Sequence, residues 1–208
     1  MKTRIQCICT LEVLNKEILD ECESFSCGDE DMDEFFYNDA LNYTRFRMGK
    51  SYCFRLIENP KIIVAFFTVS NDSIRIFDLG SSKKNRMWKE ISNREKRLSR
   101  YPGILIGRLA ISKNYANQGF GSDVVRFVKE WFVDNDNKSG CRLAIVDAKN
   151  SKNVISFYEK NGFRYLFNRE IDEDLYIKPP KNEEERKVRI QNPRTLATRL
   201  MYCDLLSD

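Results

Sequence analysis

Two closely spaced glycines, Gly119 and Gly121, give this chain its clearest chemical signal. They follow an apolar run at 104–111 and precede a segment whose apolar residues recur at helical spacing: Val124, Val125, Val128, Trp131 and Phe132. At a helix N-terminus the backbone N–H groups point at a bound anion, and the helix dipole favours negative charge. Glycine lets the backbone approach that anion without an intervening Cβ. The spacing predicts a strand, a glycine turn and a helix that together bind a phosphate.

Two widespread phosphate-binding sequences do not fit this stretch. The P-loop has a lysine directly after its glycines, and the dinucleotide fingerprint has three spaced glycines. Neither pattern is present in residues 104–122. Taken alone, the two glycines also fit the start of an ordinary helix that binds nothing.

A second segment adds a residue that can move a proton. An apolar strand at 141–148 leads through Asn150 and Ser151, both good N-cap residues, into a helix that ends at Asn161-Gly162. Tyr158 lies on the apolar face of this helix. A phenol has a pKa of about 10, so it is protonated at neutral pH and can protonate a leaving group. The alternative for Tyr158 is a packed core aromatic.

In this order the two segments resemble the GNAT acetyltransferase superfamily. Residues 104–122 are similar to its strand 4 and pyrophosphate loop, and residues 156–163 to its Phe-Tyr-x-x-x-Gly-Phe signature. The resemblance covers residues 5–167 and a final strand near 198–205. It implies an α+β fold, in which a mixed, mostly antiparallel sheet of about seven strands carries helices on both faces and is splayed between strands 4 and 5. We expect a single acetyltransferase domain over 1–208, with a charged excursion at 168–194 that is either an ordered flap or partly disordered.

The resemblance also implies an activity. Acetyl-CoA would be the co-substrate of an N-acetyltransferase in which a primary amine attacks the thioester directly and Tyr158 is the general acid. The implied cofactor-binding residues are Leu109, Ala110, Ile111, Asn117, Gln118, Gly119, Phe120, Gly121, Ser122 and Asn153. One position departs from the family pattern, because Ala116 stands where an Arg or Gln side chain usually helps to hold the pyrophosphate.

The general base and the acceptor are open. The chain has no histidine, and strand 4 carries no Asp or Glu. Asp147, at the end of strand 5, is either a base or a partner of nearby turn amides. An α-amine has a pKa of about 7.7–8.0 against about 10.4 for lysine, so it needs less help from a base. Residues 25–36 further resemble GNAT toxins that acetylate the α-amine of aminoacyl-tRNA, which makes tRNA one acceptor hypothesis. A homodimer and an antitoxin partner are also left open.

Two other functions compete with the enzyme. The chain could be a catalytically inactive GNAT-like module that binds CoA or a partner, a reading that Ala116 favours. It could also be a nucleic-acid-binding protein that uses a basic, helical segment at 83–100, although such charge runs are usually solvated helix faces. The basic residues of that segment are Lys83, Lys84, Arg86, Lys89, Arg94, Lys96, Arg97 and Arg100.

Composition limits the remaining classes. The chain has 208 residues, 42% of them hydrophobic, and its longest apolar run, 62–69, is far shorter than the roughly 20 residues of a membrane span. The N-terminus has no signal-peptide pattern. Seven cysteines without a Cys-x-x-Cys pair, and no histidine, predict neither a disulfide framework nor a zinc site. We therefore expect a cytoplasmic protein without a metal.

Before the glycine loop, the pattern predicts a strand at 5–14, a helix at 29–45 and a hairpin of 51–57 with 62–69.

Overall fold

The computed structural model of the protein describes residues 2–91 and 98–207. Its helices are α1 (Arg4–Ile8), α2 (Lys16–Glu21), α3 (Glu30–Glu34), α4 (Ala40–Arg45), α5 (Ser81–Ile91), α6 (Phe120–Val133), α7 (Lys152–Lys160), α8 (Glu170–Ile177) and α9 (Glu183–Gln191). A π-helical turn at Phe35–Asp39 joins α3 to α4, and a short 3₁₀ turn covers Lys113–Tyr115. None of the described helices is long and apolar enough to cross a membrane.

Seven strands form one sheet. They are β1 (Cys9–Val13), β2 (Lys50–Leu56), β3 (Ile63–Arg75), β4 (Arg100–Ile111), β5 (Leu143–Lys149), β6 (Arg164–Tyr165) and β7 (Thr198–Asp204), in the order β1-β2-β3-β4-β5-β7-β6. The pairs β1–β2, β2–β3, β5–β7 and β6–β7 are antiparallel. β4 and β5 are neighbours joined through α6, the helical crossover that parallel strands require. The predicted α+β fold with a mostly antiparallel, seven-stranded sheet is confirmed.

The chain divides into two compact units. Unit 1 comprises Met1–Asn71 and Leu105–Lys138, and unit 2 comprises Asp72–Ile104 and Ser139–Asp208. That one acetyltransferase domain accounts for the whole chain, and that strands 4 and 5 are splayed, stay predictions.

In unit 1, helices cover both faces of the sheet. Alternate residues of a strand point to opposite faces. Phe66 on β3 packs against Phe36 of the π-helical turn, with ring centroids 4.9 Å apart. Phe54 on β2 packs against Phe127 of α6, with centroids 5.4 Å apart. Burial of these aromatic residues, all of which are at most 9% exposed, fixes α6 and with it the loop that precedes α6.

In unit 2, the charged excursion at 168–194 forms α8 and α9. Glu173 on α8 is fully buried, and its carboxylate accepts hydrogen bonds from the Leu200 backbone N–H and from the Arg199 guanidinium, both of β7. A buried carboxylate is tolerated only when it is paired and hydrogen-bonded. The excursion is therefore an ordered pair of helices, the first of which is anchored to β7.

Two predicted elements were partly wrong. Residues 5–8 were expected in a strand but belong to α1, because Thr3 and Gln6 form a reciprocal capping box at its start. The basic helix expected at 83–100 is described as α5 as far as Ile91, and Arg100 already belongs to β4. Three of its basic residues, Arg94, Lys96 and Arg97, lie outside the described residues.

Candidate functional site

Gly107, the second of two glycines in β4, is explained by a close contact with β3. The Arg108 backbone N–H donates a hydrogen bond to the Thr68 side-chain oxygen at 2.9 Å. A Cβ at Gly107 would lie 3.1 Å from the same oxygen, which is closer than most Cβ contacts. Such a close approach is the condition under which glycine is expected inside a strand. Three of the predicted cofactor-binding residues follow in the same strand: Leu109 and Ile111 are half-buried, and Ala110 is buried.

The glycine loop has the backbone of an anion site. Asn117 and Gly119 adopt positive φ angles of 58° and 87°, a region that asparagine and glycine tolerate best. α6 begins at Phe120 with Gly119 as its N-cap, and a glycine has no side chain to cap the helix. The first N–H groups of a helix have no intrahelical partner, so those at Gly121 and Ser122 are available to an external acceptor. Phe120 is buried and anchors the turn, whereas the residues just before it are exposed.

Arg4, on α1, covers this loop. Its guanidinium donates a hydrogen bond to the Gln118 carbonyl oxygen and lies 4.4 Å from the centre of the Phe120 ring. Asp123 on α6 accepts a hydrogen bond from the Ile5 backbone N–H at 3.2 Å, which ties α1 to the first turn of α6. Arg4 was not predicted from the sequence, because it precedes Gln118 by 114 residues and no local pattern links the two.

Tyr158 lies on α7 in unit 2 and is 9% exposed. Its ring packs against those of Phe157 and Phe163, with centroids 5.0 and 5.4 Å away. Burial raises the pKa of Tyr158 to about 12. The phenol therefore keeps its proton at neutral pH, which is the state that a general acid needs. Asn153 lies in the first turn of the same helix, where it is exposed.

Asp147 on β5 lines a cavity of about 300 Å³ together with Asp72 and Tyr176. Although part of its side chain reaches solvent, its crowded surroundings remove enough water to raise the pKa of this carboxyl, and the nearby Asp72 carboxylate raises it further. A raised pKa makes a carboxylate a stronger base. Whether Asp147 acts as the base or as a partner of turn amides stays a prediction.

A larger cavity, of about 830 Å³, lies in unit 2 against α5 and the excursion. Its basic lining residues are Lys83, Arg86, Arg169 and Arg186. The Lys83 ammonium lies 4.9 Å from the centre of the Phe167 ring. Burial, with the neighbouring charge of Arg86 as a smaller cause, lowers the pKa of Lys83 to about 8. The cavity thus holds an amine that is easily deprotonated.

We expect Lys83 to make stability depend on alkaline pH. Its pKa is about 8 in the folded chain and 10.5 ordinarily, so between these values the unfolded chain holds a proton that the folded chain has lost. The free energy of unfolding should therefore rise with pH across this window and gain nothing from Lys83 below it. Urea denaturation of the wild type and of Lys83→Met, from neutral pH upward, measures the effect. Identical pH dependence in the two proteins would contradict it.

The structure places the predicted site residues in two sets. The loop and β4 residues, from Leu109 to Ser122, lie in unit 1, whereas Asn153, Tyr158 and Asp147 lie in unit 2. Within unit 1, Arg4 joins the glycine loop. The role of each residue in binding or catalysis stays a prediction.

Known proteins agree with this architecture. Residues 86–165 match the family model described as Acetyltransferase (GNAT) domain. No curated protein matches the chain.

Three solved structures share the fold. AtaT complexed with acetyl-methionyl-tRNAfMet is 20% identical, with 77% of this chain and 89% of that chain covered and a TM-score of 0.61. A bacterial toxin is 14% identical, with 95% and 92% covered and a TM-score of 0.65. AtaTR bound with AcCoA is 16% identical, with 96% and 94% covered and a TM-score of 0.53.

A GNAT acetyltransferase domain is matched over residues 86–165, which agrees with the resemblance seen in the sequence. At 20% identity and below, the three solved structures support the fold alone.

Proposed function

We propose that the protein is an acetyl-CoA-dependent N-acetyltransferase. The observation that carries this proposal is the uncapped start of α6, where Gly119 leaves backbone N–H groups for a pyrophosphate within a GNAT domain. The likeness to AtaTR bound with AcCoA supports acetyl-CoA as the co-substrate. The buried, protonated phenol of Tyr158 supports a general-acid step.

The transfer forms one C–N bond and breaks one C–S bond. The neutral acceptor amine attacks the thioester carbonyl carbon, and main-chain N–H groups of residues 109–111 stabilise the negative charge that develops on the carbonyl oxygen. Collapse of the tetrahedral intermediate expels the CoA thiolate, which takes the phenolic proton of Tyr158. The proton of the attacking amine passes to Asp147 or to solvent, and solvent returns a proton to Tyr158.

Incubation of the purified protein with acetyl-CoA and a panel of amines tests the activity. We expect mass spectrometry to find an acetylated amine and a thiol assay to find an equal amount of free CoA. If the protein bound CoA but released neither an acetylated product nor free CoA with any acceptor, it would be the catalytically inactive module. The absence of an Arg or Gln side chain at Ala116 favours that alternative. Nucleic-acid binding with neither CoA binding nor product would leave the third function.

As the acceptor we propose the α-amine of aminoacyl-tRNA. AtaT complexed with acetyl-methionyl-tRNAfMet shares the fold, and residues 25–36 resemble the toxins that modify this substrate. An α-amine with a pKa of about 7.7–8.0 is partly neutral at pH 7, which reduces the need for a strong base. The basic face of α5, with Lys83 and Lys84, would meet the phosphates of the RNA. A cytoplasmic location, a homodimer and an antitoxin partner accompany this proposal as predictions.

Reversal of charge on α5 should weaken the binding of the acceptor and leave the binding of acetyl-CoA unchanged. Lys83→Glu combined with Lys84→Glu should raise the KM for charged tRNA at least tenfold, with a steep dependence on salt because phosphate contacts release counterions. The Kd for acetyl-CoA should not change. Lys61→Glu with Lys138→Glu, which changes the net charge equally at two exposed lysines outside α5, is the matched control. Acetylation of small amines together with inertness toward charged tRNA at low salt would contradict the proposed acceptor.

A further inference from the structure

We propose that Arg4 binds the pyrophosphate of acetyl-CoA and takes the place of the side chain that Ala116 lacks. This inference rests on the proposed function and adds a residue to the same site. It also explains how a loop without an Arg or Gln at its first position can still present a cation to the ligand.

The guanidinium of Arg4 lies beside the glycine turn. It donates a hydrogen bond to the Gln118 carbonyl oxygen and packs over the Phe120 ring at 4.4 Å. A Cβ built on Gly119 would lie 3.8 Å from its Nη2 atom, and that atom is the nearest neighbour of the position. Gly119 is the N-cap of α6, so the cation borders the N–H groups that an anion would meet.

The backbone that carries Arg4 is held in place. Thr3 and Ile5, on either side of it, are both fully buried. The capping box of Thr3 with Gln6 fixes the start of α1, and the Ile5 N–H bonds the Asp123 carboxylate of α6. Arg4 itself is exposed. A fixed backbone with an exposed side chain is the arrangement in which a cation is preorganised and still reachable by a ligand.

The charge of Arg4 has no opposing carboxylate among the described residues. Its contacts there are a carbonyl oxygen and an aromatic ring, both neutral. Arginine has five N–H donors in a planar fork, so donors remain after the bond to Gln118. A fork with free donors suits the bidentate binding of phosphate oxygens, whereas an arginine already paired with an acid would have to break that pair first.

The test separates pyrophosphate binding from a structural role. We expect Arg4→Ala to raise the Kd for CoA roughly 10- to 100-fold, the range typical of a lost charged hydrogen bond. The KM for acetyl-pantetheine, which has the thioester but no pyrophosphate, should stay at the wild-type value. Arg4→Lys keeps the charge without the planar fork, so its Kd for CoA should lie between those of the wild type and Arg4→Ala. Lys61→Ala removes one exposed charge from the same unit and should bind CoA as the wild type does.

Each other outcome has a definite meaning. Unchanged CoA binding by Arg4→Ala would overturn the assignment of Arg4 alone. Equal losses for CoA and for acetyl-pantetheine would also overturn it, because Arg4 would then act by holding α1 in place. A wild-type protein that binds no CoA would instead overturn the proposed function, and the Arg4 assignment with it.

Discussion

Turnover of the Tyr158→Phe variant is expected to fall by roughly 10²- to 10⁴-fold, the usual contribution of a positioned general acid. The substitution removes only the hydroxyl, so the ring can keep its contacts with Phe157 and Phe163. The melting temperature and the Kd for CoA should therefore stay close to those of the wild type. A loss in kcat at constant Kd would place the lost interaction in the chemical step.

Tyr165→Phe is the matched control for this variant. It removes a phenol from β6 of the same unit, where the ring lies under the Arg199 guanidinium at 4.5 Å. We expect its turnover to equal that of the wild type. If Tyr158→Phe also retained turnover within about threefold, water would be protonating the thiolate, and Tyr158 would serve only to pack α7. Burial raises the pKa of Tyr158 to about 12, so loss of its proton should not limit the rate below strongly alkaline pH.

The parts of the site predicted from sequence are those with local signals. The strand, the glycine turn and α6 are contiguous, and their periodicity changes from a continuous apolar run to helical spacing within a few residues. Gly119 could be singled out from its place between an apolar run and a helical spacing, and its φ of 87° is a conformation that glycine favours. The structure also gives a reason for Gly107, where a Cβ would lie close to the Thr68 side-chain oxygen.

The parts that sequence did not predict depend on contacts between distant residues. α1 had a local signal, the capping box of Thr3 and Gln6, but the apolar residues around it fitted a strand equally well. Arg4 meets its loop across 114 residues. Glu173 lies in an acidic segment that would be expected at the surface, yet it is fully buried against Arg199, 26 residues later. A charged residue is buried only if its partner is present, and one sequence does not reveal that partner.

Gly119→Glu is expected to abolish the thermal stabilisation that acetyl-CoA gives to the wild-type protein. The new carboxylate would stand at the N-cap of α6, where the pyrophosphate would accept hydrogen bonds from backbone N–H groups. Because two negative groups repel each other, they cannot share that position. A ligand that binds the folded protein stabilises it by an amount that grows with the logarithm of its concentration over Kd, so lost binding appears directly as a lost shift in melting temperature. Equal shifts in melting temperature for the variant and the wild type would show that the phosphate does not bind at the glycine loop.

Two further variants separate charge from backbone strain in this experiment. Residue 119 has a φ of 87°, so any side chain there strains the backbone and lowers the melting temperature without ligand. Gly119→Asn tolerates this conformation best and adds no charge, so it should keep most of the shift with acetyl-CoA. Gly140→Glu adds the same charge where a Cβ would meet no atom within 4 Å, and it should keep the whole shift. Loss of the shift in Gly119→Glu alone would show that the anion site lies at the start of α6.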